Sequence, residues 1–206
     1  MSKPLDRSPV WSQRALQGLS FWIGHRHALY PHYPLTEGAL VAEACNLIYA
    51  NLDAGEVLLC EQQYLNLVQT GKWPSKLGRR ARADLVIAEE GAQLAAKENR
   101  SIGDQVIAAI EVKRASAPKS LIDEDLERLA NFKSRNKGAR AFLFVVAEAE
   151  RPKEFVTEGG TAIRGQKKIV GTKAHYQIRR VCKAAASFGG TDSAHYACII
   201  EVLTGA

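Results

Sequence analysis

The sequence has no C-x-x-C pair. Its four cysteines, Cys45, Cys60, Cys182 and Cys198, are scattered over 206 residues. That spacing excludes a disulfide scaffold and a four-thiolate zinc site, and it predicts buried thiols in a reducing compartment. Long apolar runs are also missing. The longest, Ala141 to Ala147, has seven residues, against the roughly 20 that a membrane helix needs. Met1-Ser2-Lys3-Pro4-Leu5-Asp6 lacks the apolar stretch and small-residue cleavage site of a signal peptide. The expectation is a cytoplasmic protein that meets no membrane. Neither Gly159-Gly160 nor Gly189-Gly190 leads into G-K-[ST], so both predict turns rather than phosphate loops. His25, His27 and His32 have no cysteine or carboxylate at ligand spacing, which argues against zinc.

What is present is an ordinary globular composition, 46% hydrophobic, with 28 basic residues against 22 acidic and a net charge of +6. Length fits one domain of roughly 100–200 residues. The charge is segregated. Gly71 to Ala83 holds Lys72, Lys76, Arg79, Arg80 and Arg82 and no acid. Arg151 to Lys183 holds nine basic residues, among them Arg164, Lys167 and Lys168, against Glu154 and Glu158. Such segments engage phosphates through sequence-independent, salt-sensitive contacts.

Residues 1–35, which hold Trp11, Trp22, Tyr30, Tyr33 and the prolines Pro4, Pro9, Pro31 and Pro34, are hard to divide into elements and read as an N-terminal extension. Thr36 then suits an N-cap, with Leu40, Val41, Ala44, Leu47, Ile48 and Leu52 at helical spacing. Glu56 to Tyr64 reads as a strand, and so does Asp84 to Ala88 beyond the basic loop. Glu89 to Asp104 reads as a hairpin excursion or mobile loop, and Gln105 to Arg114 as a strong strand. Ser120, with Asp123 as a shortened capping-box partner, opens a helix whose stripe is Ile122, Leu126, Leu129 and Phe132. Ala141 to Ala147 reads as a fully buried strand. After a polar insertion, His175–Ala184 and His195–Leu203 predict a terminal antiparallel pair, with a helix as the alternative for the first segment. The order is helix, strand, strand, strand, helix, strand, then a strand extension: one mixed α/β domain, its core over 36–147 and its basic insertion and terminal pair over 148–206.

Chemistry concentrates at Asp84 and, 27 positions on, at Glu111-Val112-Lys113. Side chains alternate along a strand, so Glu111 and Lys113 share one face. Charges on an otherwise apolar strand need a partner, a metal or a cleft. Two carboxylates can hold Mg²⁺ with waters and a phosphate oxygen. A neighbouring lysine can orient or deprotonate water and stabilise developing charge.

Ala83-Asp84-Leu85-Val86-Ile87 and Ile110-Glu111-Val112-Lys113-Arg114, set on consecutive strands between two helices, resemble the PD-(D/E)XK nuclease superfamily. Ala83 stands where the motif's name has proline. The resemblance covers roughly 36–147 and implies a restriction-endonuclease-like core, a mixed central β-sheet flanked by helices. It implies Asp84 and Glu111 as metal carboxylates, Lys113 as the catalytic lysine, and Mg²⁺ as cofactor with Mn²⁺ as substitute. A first-helix glutamate often joins such a set; Glu37 is the preferred candidate, Glu43 the second and Glu61 a weaker third. The implied activity is phosphodiester hydrolysis, in DNA rather than RNA, in restriction, phage defence or repair, by a homodimer or a subunit of a larger complex. The basic loops and Arg114 would carry the nucleic acid, and Trp73, inside the first loop, is the tryptophan to test for base stacking. The rival expectation is an inactive nucleic-acid-binding or scaffold subunit of the same fold.

Overall fold

The computed structural model describes residues 8–184 and 190–204. Its first helix, α1 (Val10–Leu29), falls in the segment read as an irregular N-terminal extension. Trp11, Ala15, Leu16, Leu19 and Ile23 are its buried stripe. α2 (Glu37–Tyr49) starts at Thr36, whose Oγ1 accepts the Ala39 N–H at 3.2 Å, and it buries Leu40, Ala44 and Ile48. Strand β1 (Glu56–Gln63), the single turn α3 (Tyr64–Leu67) and β2 (Arg82–Glu89) follow. The 89–104 excursion carries a short helix, α4 (Ala92–Lys97), before β3 (Val106–Arg114). α5 (Lys119–Arg135) is capped two residues before the expected position. Pro118, not Ser120, is its N-cap, because the proline's fixed φ suits the entry to a helix. Asp123 pairs with Lys119 at 3.0 Å instead of capping.

β4 (Arg140–Ala147), β5 (Gln166–Lys168), β6 (His175–Lys183) and β7 (Tyr196–Leu203) complete a seven-stranded mixed sheet among the described residues, in the order β1-β2-β3-β4-β7-β6-β5. β3 and β4 are parallel, joined through α5, and every other neighbouring pair is antiparallel. The expected terminal pair is therefore present, and β7 also docks on β4, so the extension widens the central sheet. Of the Gly189-Gly190 turn, Gly189 lies outside the described residues.

Alternation along the strands divides the core in two. Leu85, Ile87, Ala108, Ile110, Val112, Phe142 and Phe144 face α1 and α2. Val86, Ala88, Ala109, Leu143, Val145, Cys198 and Ile200 lie on the α5 side, with Ile122, Leu126, Leu129 and Phe132. Helices on both faces leave the catalytic candidates only the strand ends to open onto. No helix among the described residues is long and apolar enough to cross a membrane.

One loop junction is tight enough to test. The buried Asn136 amide donates to Leu67 O (2.7 Å) and Gly103 O (3.1 Å), and its Oδ1 accepts the Gln69 N–H. A Cβ on Gly103 would stand 2.6 Å from Val68 O, a main-chain atom that cannot swing aside. Gly103→Ala is expected to cost about 1–3 kcal/mol through overpacking, measured by urea denaturation.

Candidate active site

The β2–β3 ladder runs to the pair Leu85↔Ile110, and the next residues along each strand are Asp84 and Glu111. Beyond that pair the Val112 N–H has no strand carbonyl opposite it. The Asp84 carboxylate takes that role, with Oδ2 accepting from Val112 N at 2.8 Å. The same bond that ends the ladder fixes Asp84 against the Glu111-Val112-Lys113 triplet. The Tyr64 hydroxyl donates to Glu111 Oε1 at 2.6 Å. Lys113 Nζ lies 2.8 Å from Glu37 Oε1 on α2 and 3.2 Å from Asp125 Oδ2 on α5. Arg128 braces Asp125 from behind at 2.9 Å and also pairs with Glu124. Sequence positions 37, 84, 111 and 113 thus converge from three elements.

The electrostatics follow from burial. Glu111, 2% exposed, is pushed well up by desolvation and by the charges of Asp84 and Asp125. Burial lifts Asp84 to about 6, although the Val112 N–H and Lys113 pull the other way. Asp125 is also raised by burial, against Lys113 and Arg128. Burial alone would lower Lys113, but the Glu37 hydrogen bond and the charges of Asp125 and Glu37 outweigh it and hold the ammonium well above its ordinary value. Carboxyl groups outnumber cations here: Glu37, Asp84, Glu111 and Asp125 stand against Lys113 and Arg128.

An open cleft of about 480 Å³ leads to Asp84 between α2 and β1, lined by Glu37, Val41, Cys45, Cys60 and Glu61. Glu61 sits where the β1–β2 register passes from Cys60↔Leu85 to Gln62↔Ala83, with a left-handed backbone (φ 55°). Glu43, on α2, has no hydrogen bond or ion pair to these residues and does not line the cleft. The thiols are not uniformly buried as expected. Cys198 is buried, but Cys60 is exposed and meets Cys45 at 3.6 Å on the cleft wall. Desolvation and the Cys45 hydrogen bond push the Cys60 thiol up to about 11, so it stays protonated at neutral pH.

The basic residues divide into free and committed groups. Arg79, Arg80, Arg82, Arg164 and Lys168 are exposed, and no partner holds their side chains among the described residues. Lys76 pairs with Glu127 at 2.6 Å, and Lys167 donates to Glu154 O at 2.7 Å. The Lys72 carbonyl accepts from Arg135, while its exposed side chain has no partner among the described residues. Arg114 donates to Leu35 O at 2.8 Å, so it anchors the segment that leads into α2. Lys76 and Lys173, one from each basic stretch, line a second cleft of about 360 Å³ against α5. Trp73 stacks on Tyr64, with ring centroids 4.5 Å apart and planes 5° from parallel. That stack commits one indole face to the protein's own interior.

Sequence reasoning missed Asp125, Arg128 and Tyr64. Asp125 was findable: it falls three residues after Ile122 and four before Leu129, on the apolar stripe itself, where an acid needs a partner. No family model, curated protein or solved structure matches this chain.

Proposed function

We propose that the protein is a metal-dependent nuclease with a restriction-endonuclease-like core of the PD-(D/E)XK type. The observation that carries this reading is the bond from Val112 N–H to Asp84, which sets two carboxylates and a lysine side by side at the point where two strands part. Among the described residues no three His, Cys, Asp or Glu side chains group to enclose a metal. Magnesium does not require three: it is held through one or two carboxylates, with waters and substrate phosphate completing the shell. Asp84 and Glu111 suit that role as hard oxygen donors in a centre with surplus carboxyl groups. When bound, the ion supplies polarisation of the phosphate and a more acidic water.

The chain's own residues supply the rest. Lys113, kept cationic by Glu37 and Asp125, stabilises charge developing on the phosphate and orients the attacking water. Its raised proton affinity makes it a poor general base. Glu37 and Asp125 aim it from two sides. The free arginines of 79–82, with Arg164 and Lys168, provide phosphate contacts. DNA is the favoured substrate, and cytoplasmic defence or repair the favoured setting.

A plasmid-nicking assay tests this. Wild type with Mg²⁺ or Mn²⁺ is expected to cleave and with EDTA to stop, while Asp84→Ala and Lys113→Ala lose at least ~10²-fold in rate. Cleavage surviving both substitutions would remove the site assignment. Salt-sensitive binding by wild type with no cleavage of any DNA or RNA form would favour the inactive binding subunit.

A further inference from the structure

Tyr64 is fully buried, yet its hydroxyl does not end on the main chain, as a core tyrosine's commonly does. It ends on the carboxyl of Glu111. The ring is clasped by the basic loop. Trp73 lies flat on it, Phe132 of α5 tilts against it at 6.2 Å, and its main-chain N–H donates to Ala81 O at the loop's far end. The loop is pinned in turn: the Trp73 indole donates to Gly78 O at 3.2 Å, and Lys76 reaches Glu127. An unbroken line of contacts therefore runs from the arginine-bearing loop through Trp73 and Tyr64 to Glu111.

We propose that Tyr64, braced by Trp73, is a positioning residue that presents Glu111 to a divalent cation, which makes the order of the basic loop a condition of metal binding. This rests on the reading of Asp84 and Glu111 as the metal carboxylates. The phenol holds one carboxylate oxygen by hydrogen bond, which fixes the rotamer in which the other oxygen is presented to a cation. Without it, Glu111 has a buried carboxyl with one fewer donor and more rotational freedom. Outer partners of metal ligands typically change affinity ~10–100-fold when removed.

Calorimetric titration of the intact protein with Mg²⁺ alone, paired with tryptophan fluorescence, tests the line of contacts without reference to cleavage. Wild type is expected to bind, with an emission change that Trp73→Phe abolishes. Asp84→Asn is expected to abolish binding. Tyr64→Phe keeps the stacked ring and is expected to bind Mg²⁺ ~10-fold more weakly, with a smaller emission change. Should Tyr64→Phe fail to fold by circular dichroism, Trp73→Leu carries the test: it spares the phenol, removes the stack, and is expected to weaken Mg²⁺ several-fold. Binding that Asp84→Asn abolishes but the folded variant at 64 or 73 leaves unchanged would overturn the positioning role and leave the metal site standing. No Mg²⁺ binding by wild type would overturn both.

Discussion

Asp84→Asn is expected to make the metal-free protein more stable at pH 7.5, by about 2 kcal/mol after allowance for partial exposure of the site, while removing Mg²⁺-dependent cleavage. Burial raises the Asp84 carboxyl from 3.8 to about 6, and the Val112 N–H and Lys113 recover only part of that shift. An acid raised by folding binds its proton more tightly in the native state. Between about pH 4 and pH 6 the native state therefore holds more protons than the unfolded chain, and stability falls as pH rises through that window. Above it the full penalty remains. Asparagine keeps an oxygen for the Val112 N–H and carries no charge, so it removes the penalty. Denaturation at pH 4 and pH 7.5 should show near-equal stabilities at the lower pH and a gain for the variant at the higher. A metal site has one more signature. Mg²⁺ should stabilise wild type at pH 7.5, as any ligand of the native state does, and leave Asp84→Asn unmoved. A variant less stable than wild type at pH 7.5 would mean that Asp84 serves as a structural acceptor only.

This pattern explains which parts were legible in the sequence. Asp84 and Glu111-Val112-Lys113 were readable because charges interrupt strands otherwise apolar on both faces, and such interruptions are costly without a purpose. α2 was readable through Thr36 and its 40/44/48 period, and α5 through its stripe. α1 was not, although Trp11, Ala15, Leu16, Leu19 and Ile23 lie at helical spacing. Prolines 4, 9, 31 and 34 make the region look broken, yet they bracket the helix and none falls inside it. The docking of β7 on β4 and the Tyr64–Glu111 bond depend on contacts 47 or more residues apart, and no local pattern encodes those. Arg114 illustrates the remaining ambiguity. As a cation beside the motif it suggested a phosphate contact, whereas its guanidinium faces Leu35 O and braces the approach to Glu37.

Lys113→Met is expected to destabilise the protein by about 3 kcal/mol at neutral pH, close to what breaking a buried ion pair costs. The side chain of Lys113 is 12% exposed and that of Asp125 2%. Among the described residues Asp125 Oδ2 has no hydrogen bond and lies 3.2 Å from the Lys113 ammonium, while Oδ1 is held by Arg128. Methionine fills the lysine's volume, so packing survives and the loss falls on a buried carboxylate that keeps Arg128 at Oδ1 but has no cation at Oδ2. Because that carboxyl is already raised by burial, and more so without the lysine, the defect should shrink towards pH 4, where a protonated Asp125 needs no cation. Adding Asp125→Asn should return at least about 1 kcal/mol, a coupling that a double-mutant cycle measures directly. A solvated Glu-x-Lys ion pair on a strand surface predicts a loss of at most about 1 kcal/mol, with no recovery on changing Asp125. The two outcomes differ by more than the error of denaturant extrapolation. The measurement therefore decides whether Lys113 is held in a built site, with Glu37 and Asp125 aiming it, or merely decorates a strand end.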